Sequence, residues 1–195
     1  FFFFFQVLCG WNTVAERSCG GMRVLIFLGL AMAAKAASDL HEAVRNNDIE
    51  EIQRLLAEGA DINALGPGQQ TPLLSGVLVG RKEAVEALLE AGADLTIPEK
   101  DGYTVMHAAG FQGRADIVPI LFDHGVSPND FHRDGFAPYH RACWGKDERH
   151  LQTIKAFAEI GVDLDTPAQN GQTCKHLMRG LNPNGNHDKA NVIEL

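Results

Sequence analysis

Residues 101–125 read DGYTVMHAAGFQGRADIVPILFDHG, and this stretch decides the fold. It opens with Asp101-Gly102, a turn signal, and continues with Thr104, whose hydroxyl can cap a helix. Two apolar runs follow, and the second stops at Gly125, a residue suited to the left-handed conformation that ends helices. The stretch therefore predicts two short helices between two turns.

The same pattern recurs along the chain with a period of 33 residues. Four-residue blocks equivalent to 104–107 begin at residues 38, 71, 104, 137 and 173, at intervals of 33, 33, 33 and 36. Such self-similarity is typical of a solenoid, in which each unit covers the apolar face of its neighbour. The predicted units span about residues 38–70, 71–103, 104–136, 137–172 and 173–195.

These blocks resemble the ankyrin repeat, whose pattern runs Gly-x-Thr-Pro-Leu-His-x-Ala, then Ile-Val-x-x-Leu-Leu, then Gly-Ala-Asp. Thr71-Pro72-Leu73 and Gly92-Ala93-Asp94 match it residue by residue. The resemblance covers residues 38–195 and implies an all-α solenoid of helix–turn–helix units joined by hairpin-like loops. It also implies that the chain binds a protein partner and is not an enzyme.

Some residues depart from the pattern. Leu74 replaces the recurring His, and Ala137 replaces the capping Thr. Three extra residues lie between Trp144 and Leu151, where we expect them to lengthen the turn between two helices. In the first unit, the spacing of Asp39 and Glu42 fits a capping box at a helix start.

The ends of the chain differ from the repeats. Residues 1–21 open with five Phe and are interpreted as extra leader sequence. Residues 22–36 combine a basic start, an apolar run and an A-x-A site, which predicts a signal peptide cleaved after Ala36. An ordinary apolar helix is the alternative. The fifth unit stops at Leu195 inside its expected second helix, so we expect a C-terminal truncation.

These features leave the compartment open between the secretory pathway or periplasm and, alternatively, the cytoplasm. From Ala37 onward the chain has 14 basic and 24 acidic residues, a formal charge of −10. Such a surface repels phosphate backbones and argues against nucleic-acid binding. The apolar run of residues 24–34 is too short to span a bilayer, so no membrane span is expected either. Only Cys143 and Cys174 lie beyond the expected cleavage point, and both are expected to be reduced thiols.

No catalytic, cofactor-binding or metal-binding motif stands out. The histidines at residues 41, 107, 140 and 176 occupy one position per unit. Neighbouring units stack about 10 Å apart, whereas zinc lies about 2 Å from its ligands, so these residues cannot converge on one ion. We expect them to brace their own helix starts instead.

The aligned units predict a partner-binding strip. In ankyrin proteins, partners are usually held by the loop tips and by the groove-facing side of the first helices. Positions equivalent to these carry four aromatic residues from two consecutive units, a size of patch that favours binding. The predicted partner-binding residues are Leu78, Lys100, Asp101, Tyr103, Phe111, Gln112, Arg133, Asp134, Phe136 and Trp144.

The leading interpretation is a monomeric module that binds a protein partner in its groove. One alternative is the targeting or regulatory arm of a longer enzyme or channel, which the truncated fifth unit permits. Another is a structural spacer that binds nothing.

Overall fold

The structure is a computed structural model that describes residues 35–180, and within this range it contains helices and no strands. The predictions for residues 1–21, for most of the signal peptide and for residues 181–195 lie outside the described residues. The helices are α1 (35–46), α2 (Ile49–Ala57), α3 (Pro72–Val79), α4 (Lys82–Glu90), α5 (Val105–Gln112), α6 (Val118–Asp123), α7 (Pro138–Trp144), α8 (Glu148–Glu159) and α9 (Cys174–Gly180).

The helices form a two-layered stack, which confirms the predicted all-α solenoid. Helices α3, α5, α7 and α9 pack one against the next in the first layer. In the second layer α2 packs against α4, and α6 packs against α8. The two layers pack together through a continuous apolar core. The core includes the fully buried Leu73, Leu88, Met106, Leu121 and Tyr139.

Hydroxyl caps begin the first-layer helices, as the sequence predicts. Thr71 Oγ1 accepts a hydrogen bond from Leu74 N at 3.1 Å, and Thr104 makes the equivalent cap in the next unit. Ala137 has no hydroxyl, and there the Nδ1 atom of His140 accepts a hydrogen bond from Ala137 N at 3.2 Å. The same bond joins Thr173 N to His176 Nδ1 at 3.2 Å, so it recurs with or without the threonine.

The loops between units form hairpin tips, and backbone hydrogen bonds join neighbouring tips. Glu99 N donates to Tyr103 O at 3.0 Å to close one tip. Neighbouring tips are joined where Lys100 N donates to Gly68 O at 3.1 Å and Gln169 N donates to Gly135 O at 3.0 Å. These bonds fix the positions of the loops along one edge of the stack.

The fourth unit corrects the expectation of a longer turn. Three residues separate α7 from α8, against two between α3 and α4, so the turn gains one residue. Most of the extra length extends α8, which has 12 residues where α4 has 9. The longer helix is stabilised because Leu151, Ile154 and Phe157 are buried at helical spacing.

Two further expectations are wrong. Asp39 lies inside α1, which already includes residue 35, so it does not cap that helix. Cys143 and Cys174 form a disulfide and are not reduced thiols, with 5.3 Å between their Cα atoms. Cys143 lies in α7 and Cys174 begins α9, so the packing of these helices brings the two side chains together.

Candidate functional site

The last turns of α3, α5 and α7 carry four apolar side chains and one amide that are exposed or half-buried. We define the groove face as Leu78, Val79, Phe111, Gln112 and Trp144. Phe111 is 58% exposed and Val79 is also exposed, whereas the other three are half-buried. Because these helices pack side by side, the groove face belongs to three consecutive units.

The backbone beneath Phe111 is held in place by the next unit. His150, a buried residue of α8, donates from Nε2 to Phe111 O at 3.1 Å. Arg114 donates from Nη2 to Leu78 O and ties the end of α3 to the turn after α5. Phe111 is therefore a large exposed apolar side chain on a fixed backbone, and such preorganisation lowers the entropy cost of binding.

Three of the four predicted aromatics surround a cation that belongs to the chain itself. The guanidinium carbon of Arg141 lies 4.9, 5.4 and 4.5 Å from the ring centroids of Tyr103, Phe136 and Trp144. The side chain of Arg141 is 7% exposed. Cation–π contacts of this kind contribute roughly 0.5–2 kcal/mol each, more when the cation is desolvated.

A carboxylate completes this Arg141 cluster. Arg141 Nη2 donates to Asp134 Oδ2 and, at 3.2 Å, to the hydroxyl oxygen of Tyr103. Tyr103 in turn donates its hydroxyl proton to Asp134 Oδ2 at 3.0 Å. The buried positive charge is therefore balanced by one carboxylate whose side chain is 34% exposed.

The pKa values of the cluster reflect these contacts. Burial raises the pKa of the Asp134 carboxyl, but hydrogen bonds from Arg141, His132 and Tyr103 outweigh it and hold the pKa well below its usual range. Burial, followed by the hydrogen bond to Asp134, raises the pKa of Tyr103. Asp134 is therefore ionised and Tyr103 is neutral at neutral pH.

Sequence reasoning missed Arg141 and His132. His132 stacks on Tyr103 with 3.9 Å between the ring centroids, and its Nε2 donates to Asp101 O at 2.9 Å. It therefore joins two neighbouring loop tips through a side chain. A signal for Arg141 existed, because the equivalent positions in the other units hold Glu42, Ser75, Ala108 and Leu177, none of which is basic.

The structure thus divides the predicted partner-binding residues into three groups. Tyr103, Asp134, Phe136 and Trp144 contact Arg141, and the Phe136 and Trp144 rings are 4.7 Å apart. Leu78, Phe111 and Gln112 lie at the helix ends, and Phe111 makes no ring contact with the cluster among residues 35–180. Lys100, Asp101 and Arg133 are exposed in the loops.

Three of the four recurring histidines, His107, His140 and His176, brace their helix starts as expected, whereas His41 instead contacts the Ser75 hydroxyl at 3.0 Å and donates to Ala64 O at 2.9 Å. His107 Nδ1 is 2.8 Å from the Thr104 hydroxyl, and His176 Nδ1 accepts a hydrogen bond from Thr173 N at 3.2 Å. His140 also reaches the following loop, where its Nε2 donates to Thr166 O at 3.2 Å. His107 Nε2 has no such partner, and burial lowers the pKa of His107 to about 4.

Other classes of site are not visible in the described part of the chain. Between residues 35 and 180, no group of three or more His, Cys, Asp or Glu side chains is placed to hold a metal ion. None of the helices in that range combines the length and apolar character needed to cross a bilayer.

The family model for ankyrin repeats (3 copies) matches residues 36–99 and 80–168. The chain therefore belongs to the ankyrin repeat family, as the spacing of its blocks indicates. Ankyrin repeats are generally protein–protein interaction modules and are typically non-catalytic. No curated protein matches the chain.

Proposed function

We propose that this chain binds a protein partner on its groove face, with Phe111 as the central contact. The observation that carries the proposal is the 58% exposure of Phe111 on a backbone held by His150 and flanked by Val79. A soluble chain gains nothing in folding from an exposed ring of this size, whereas large aromatic side chains dominate binding energy at interfaces.

The contacts of the Arg141 cluster favour a smaller partner surface than the ten residues predicted from the sequence. The Arg141 cluster uses the rings of Tyr103, Phe136 and Trp144 for an internal contact, so these rings are less available to a partner than Phe111 is. Lys100 and Arg133 are exposed on the loop edge and supply a polar rim beside it. The expected interface is therefore centred on Phe111 and bounded by the loop tips.

Replacement of Phe111 gives a direct test. Burying the exposed half of a Phe ring removes roughly 100 Å² from water, which corresponds to about 2 kcal/mol or roughly a thirtyfold change in Kd. We expect Phe111→Ala to lose partners that the full chain captures from an extract of its source cells, as quantified by mass spectrometry. Thermal unfolding of Phe111→Ala should match that of the unchanged chain.

Phe122→Ala is the matched control, because Phe122 is 40% exposed but lies on α6 in the second layer. Partners that bind the groove face should be retained by Phe122→Ala and lost by Phe111→Ala. Equal retention by both variants would contradict the proposal.

We also propose that the chain is exported to an oxidising compartment. The disulfide between Cys143 and Cys174 supports this, because disulfides persist in secreted and periplasmic proteins and are rare in the cytosol. N-terminal sequencing of the mature protein tests the proposal. A mature chain that begins at Ala37 agrees with export, and one that retains Met22 contradicts it.

A further inference from the structure

One exposed apolar residue recurs in each of four loops, outside the groove face. We call Leu65, Pro98, Phe131 and Pro167 the loop row. They are spaced by 33, 33 and 36 residues, the same intervals as the repeat itself. Leu65 is 56% exposed and Phe131 is 42% exposed, and both prolines are exposed as well. The loop row therefore places an exposed apolar residue at the same position of four consecutive units.

The same hydrogen bond fixes the register of all four residues. The residue that follows each of them donates its backbone N–H to the carbonyl oxygen four residues further along. The distances are 2.9 Å for Gly66 to Gln70, 3.0 Å for Glu99 to Tyr103, 3.0 Å for His132 to Phe136 and 2.8 Å for Ala168 to Gln172. The loop row is therefore a regular feature of the stack, with one apolar side chain per unit.

The chain on one side of the loop row is acidic. The six residues that end at each row position, 60–65, 93–98, 126–131 and 162–167, contain five Asp and no Lys or Arg. Several of these carboxylates are held in place by the backbone: Asp61 accepts a hydrogen bond from Asn63 N at 2.9 Å, and Asp163 accepts one from Asp165 N at 2.9 Å. A basic partner complements this side of the loops, whereas the same row of a second copy would be repelled by it.

An extended partner fits the general spacing of packed units. Packed helices of neighbouring units lie about 8–10 Å apart. A polyproline II helix has three residues per turn and rises about 3.1 Å per residue, so it presents one side chain on the same side about every 9.3 Å. Such a chain that runs along the loops places one residue in three against each successive unit. Pro98 and Pro167 have no N–H to donate, which disfavours a β-strand ladder at the row.

We propose that the loop row binds an extended, basic polypeptide segment with an apolar side chain at every third position. This rests on the proposed function, because it names the kind of segment by which a partner engages the stack beside the groove face. The four row positions correspond to four consecutive triplets of the bound segment.

A synthetic peptide of four Leu-Lys-Pro triplets, labelled with a fluorophore, tests the proposal against the full chain by fluorescence anisotropy. We expect saturable binding that weakens as salt is raised, because the contacts to the Asp side chains are screened. The double variant Leu65→Ser/Phe131→Ser should bind at least tenfold more weakly. Phe122→Ser, which changes an exposed Phe outside the row, should bind within twofold of the unchanged chain.

A second peptide with the same twelve residues, rearranged so that the four Leu are consecutive, tests the spacing. It should bind at least tenfold more weakly than the triplet peptide. Absence of binding by the triplet peptide, equal binding of the two peptides, or an unchanged Kd in the double variant would each overturn the proposal. If the capture of partners still depends on Phe111 in that case, the groove-face function stands and only the loop row is refuted.

Discussion

Substitution of Asp134 by Asn leaves the positive charge of Arg141 buried without its counter-ion. The change keeps the size of the side chain and one hydrogen-bond acceptor, but it removes the negative charge that Arg141 contacts. We expect Asp134→Asn to lower the free energy of unfolding and to leave the helix content unchanged.

The magnitude follows from the burial of the two partners. Removing one member of a fully buried ion pair costs about 3–5 kcal/mol. Asp134 is 34% exposed, however, and water screens this part of the interaction, so we expect about 1.5–2.5 kcal/mol. The three aromatic rings around Arg141 still contact the cation and limit the loss.

The chain provides a matched control. Asp101 occupies the equivalent position one unit earlier and is exposed. Its backbone carbonyl accepts a hydrogen bond from His132, but within residues 35–180 its carboxylate has no hydrogen bond or ion pair. Asp101→Asn should therefore change stability by less than about 0.5 kcal/mol. Urea unfolding followed by circular dichroism measures both variants on the full chain. Equal stability losses in the two variants would refute the role assigned to the Arg141 cluster.

A double-mutant cycle with Arg141→Met separates the ion pair from the packing. If the charges interact as described, the loss in the double variant should be smaller than the sum of the two single losses by about 1–2 kcal/mol. The effect of pH has a defined sign. Because the folded-state pKa of Asp134 is lowered, its contribution is complete above the ordinary carboxyl range and is lost as the pH falls below about 4.

Two other measurements test the buried groups. His107 has a folded-state pKa of about 4, below the value of about 6.5 for an unperturbed His, so the unfolded chain binds its proton first as the pH falls. Because of His107, the free energy of unfolding should fall by about 1–2 kcal/mol between pH 7 and pH 5. In urea unfolding, His107→Gln should show a smaller fall over the same pH range. An identical fall in both chains would contradict the lowered pKa of His107. Reduction of the disulfide, which links residues 31 apart in sequence, should cost about 3–4 kcal/mol, as seen by unfolding with and without dithiothreitol. Cys143→Ser should lose this sensitivity to reductant, and mass spectrometry that finds both thiols free in the native chain would contradict the disulfide.

The repeat period was sufficient to predict the stack of helices. The hydroxyl cap of Thr71 and the helix ends were visible because local residue types determine them. The contacts between units were harder to predict, because they join side chains from positions that the period does not align. Arg141 illustrates this: its position gave no sign that a loop Asp and three rings surround it.

The disulfide also depends on a contact between units, and the structure shows the equivalent contact one unit earlier. Gly110 in α5 lies against the carbonyl of Pro138, and these two positions are equivalent to Cys143 and Cys174 in the following pair of units. Alignment of the contacts, in addition to alignment of the residues, would therefore have placed the two sulfurs face to face. Sequence reasoning predicted free thiols because two cysteines alone do not form the framework typical of a disulfide-rich secreted protein.

The disulfide also makes one contact between units harder to separate than the others in the described stack. Units of a solenoid contact only their neighbours, so neighbouring units can separate without disturbing the units further away. Here the disulfide links α9 to α7, so the fifth unit stays attached to the fourth even when their packing contacts are lost. Among the described units, the contact between α3 and α5 should therefore open at lower force than the contact between the oxidised α7 and α9.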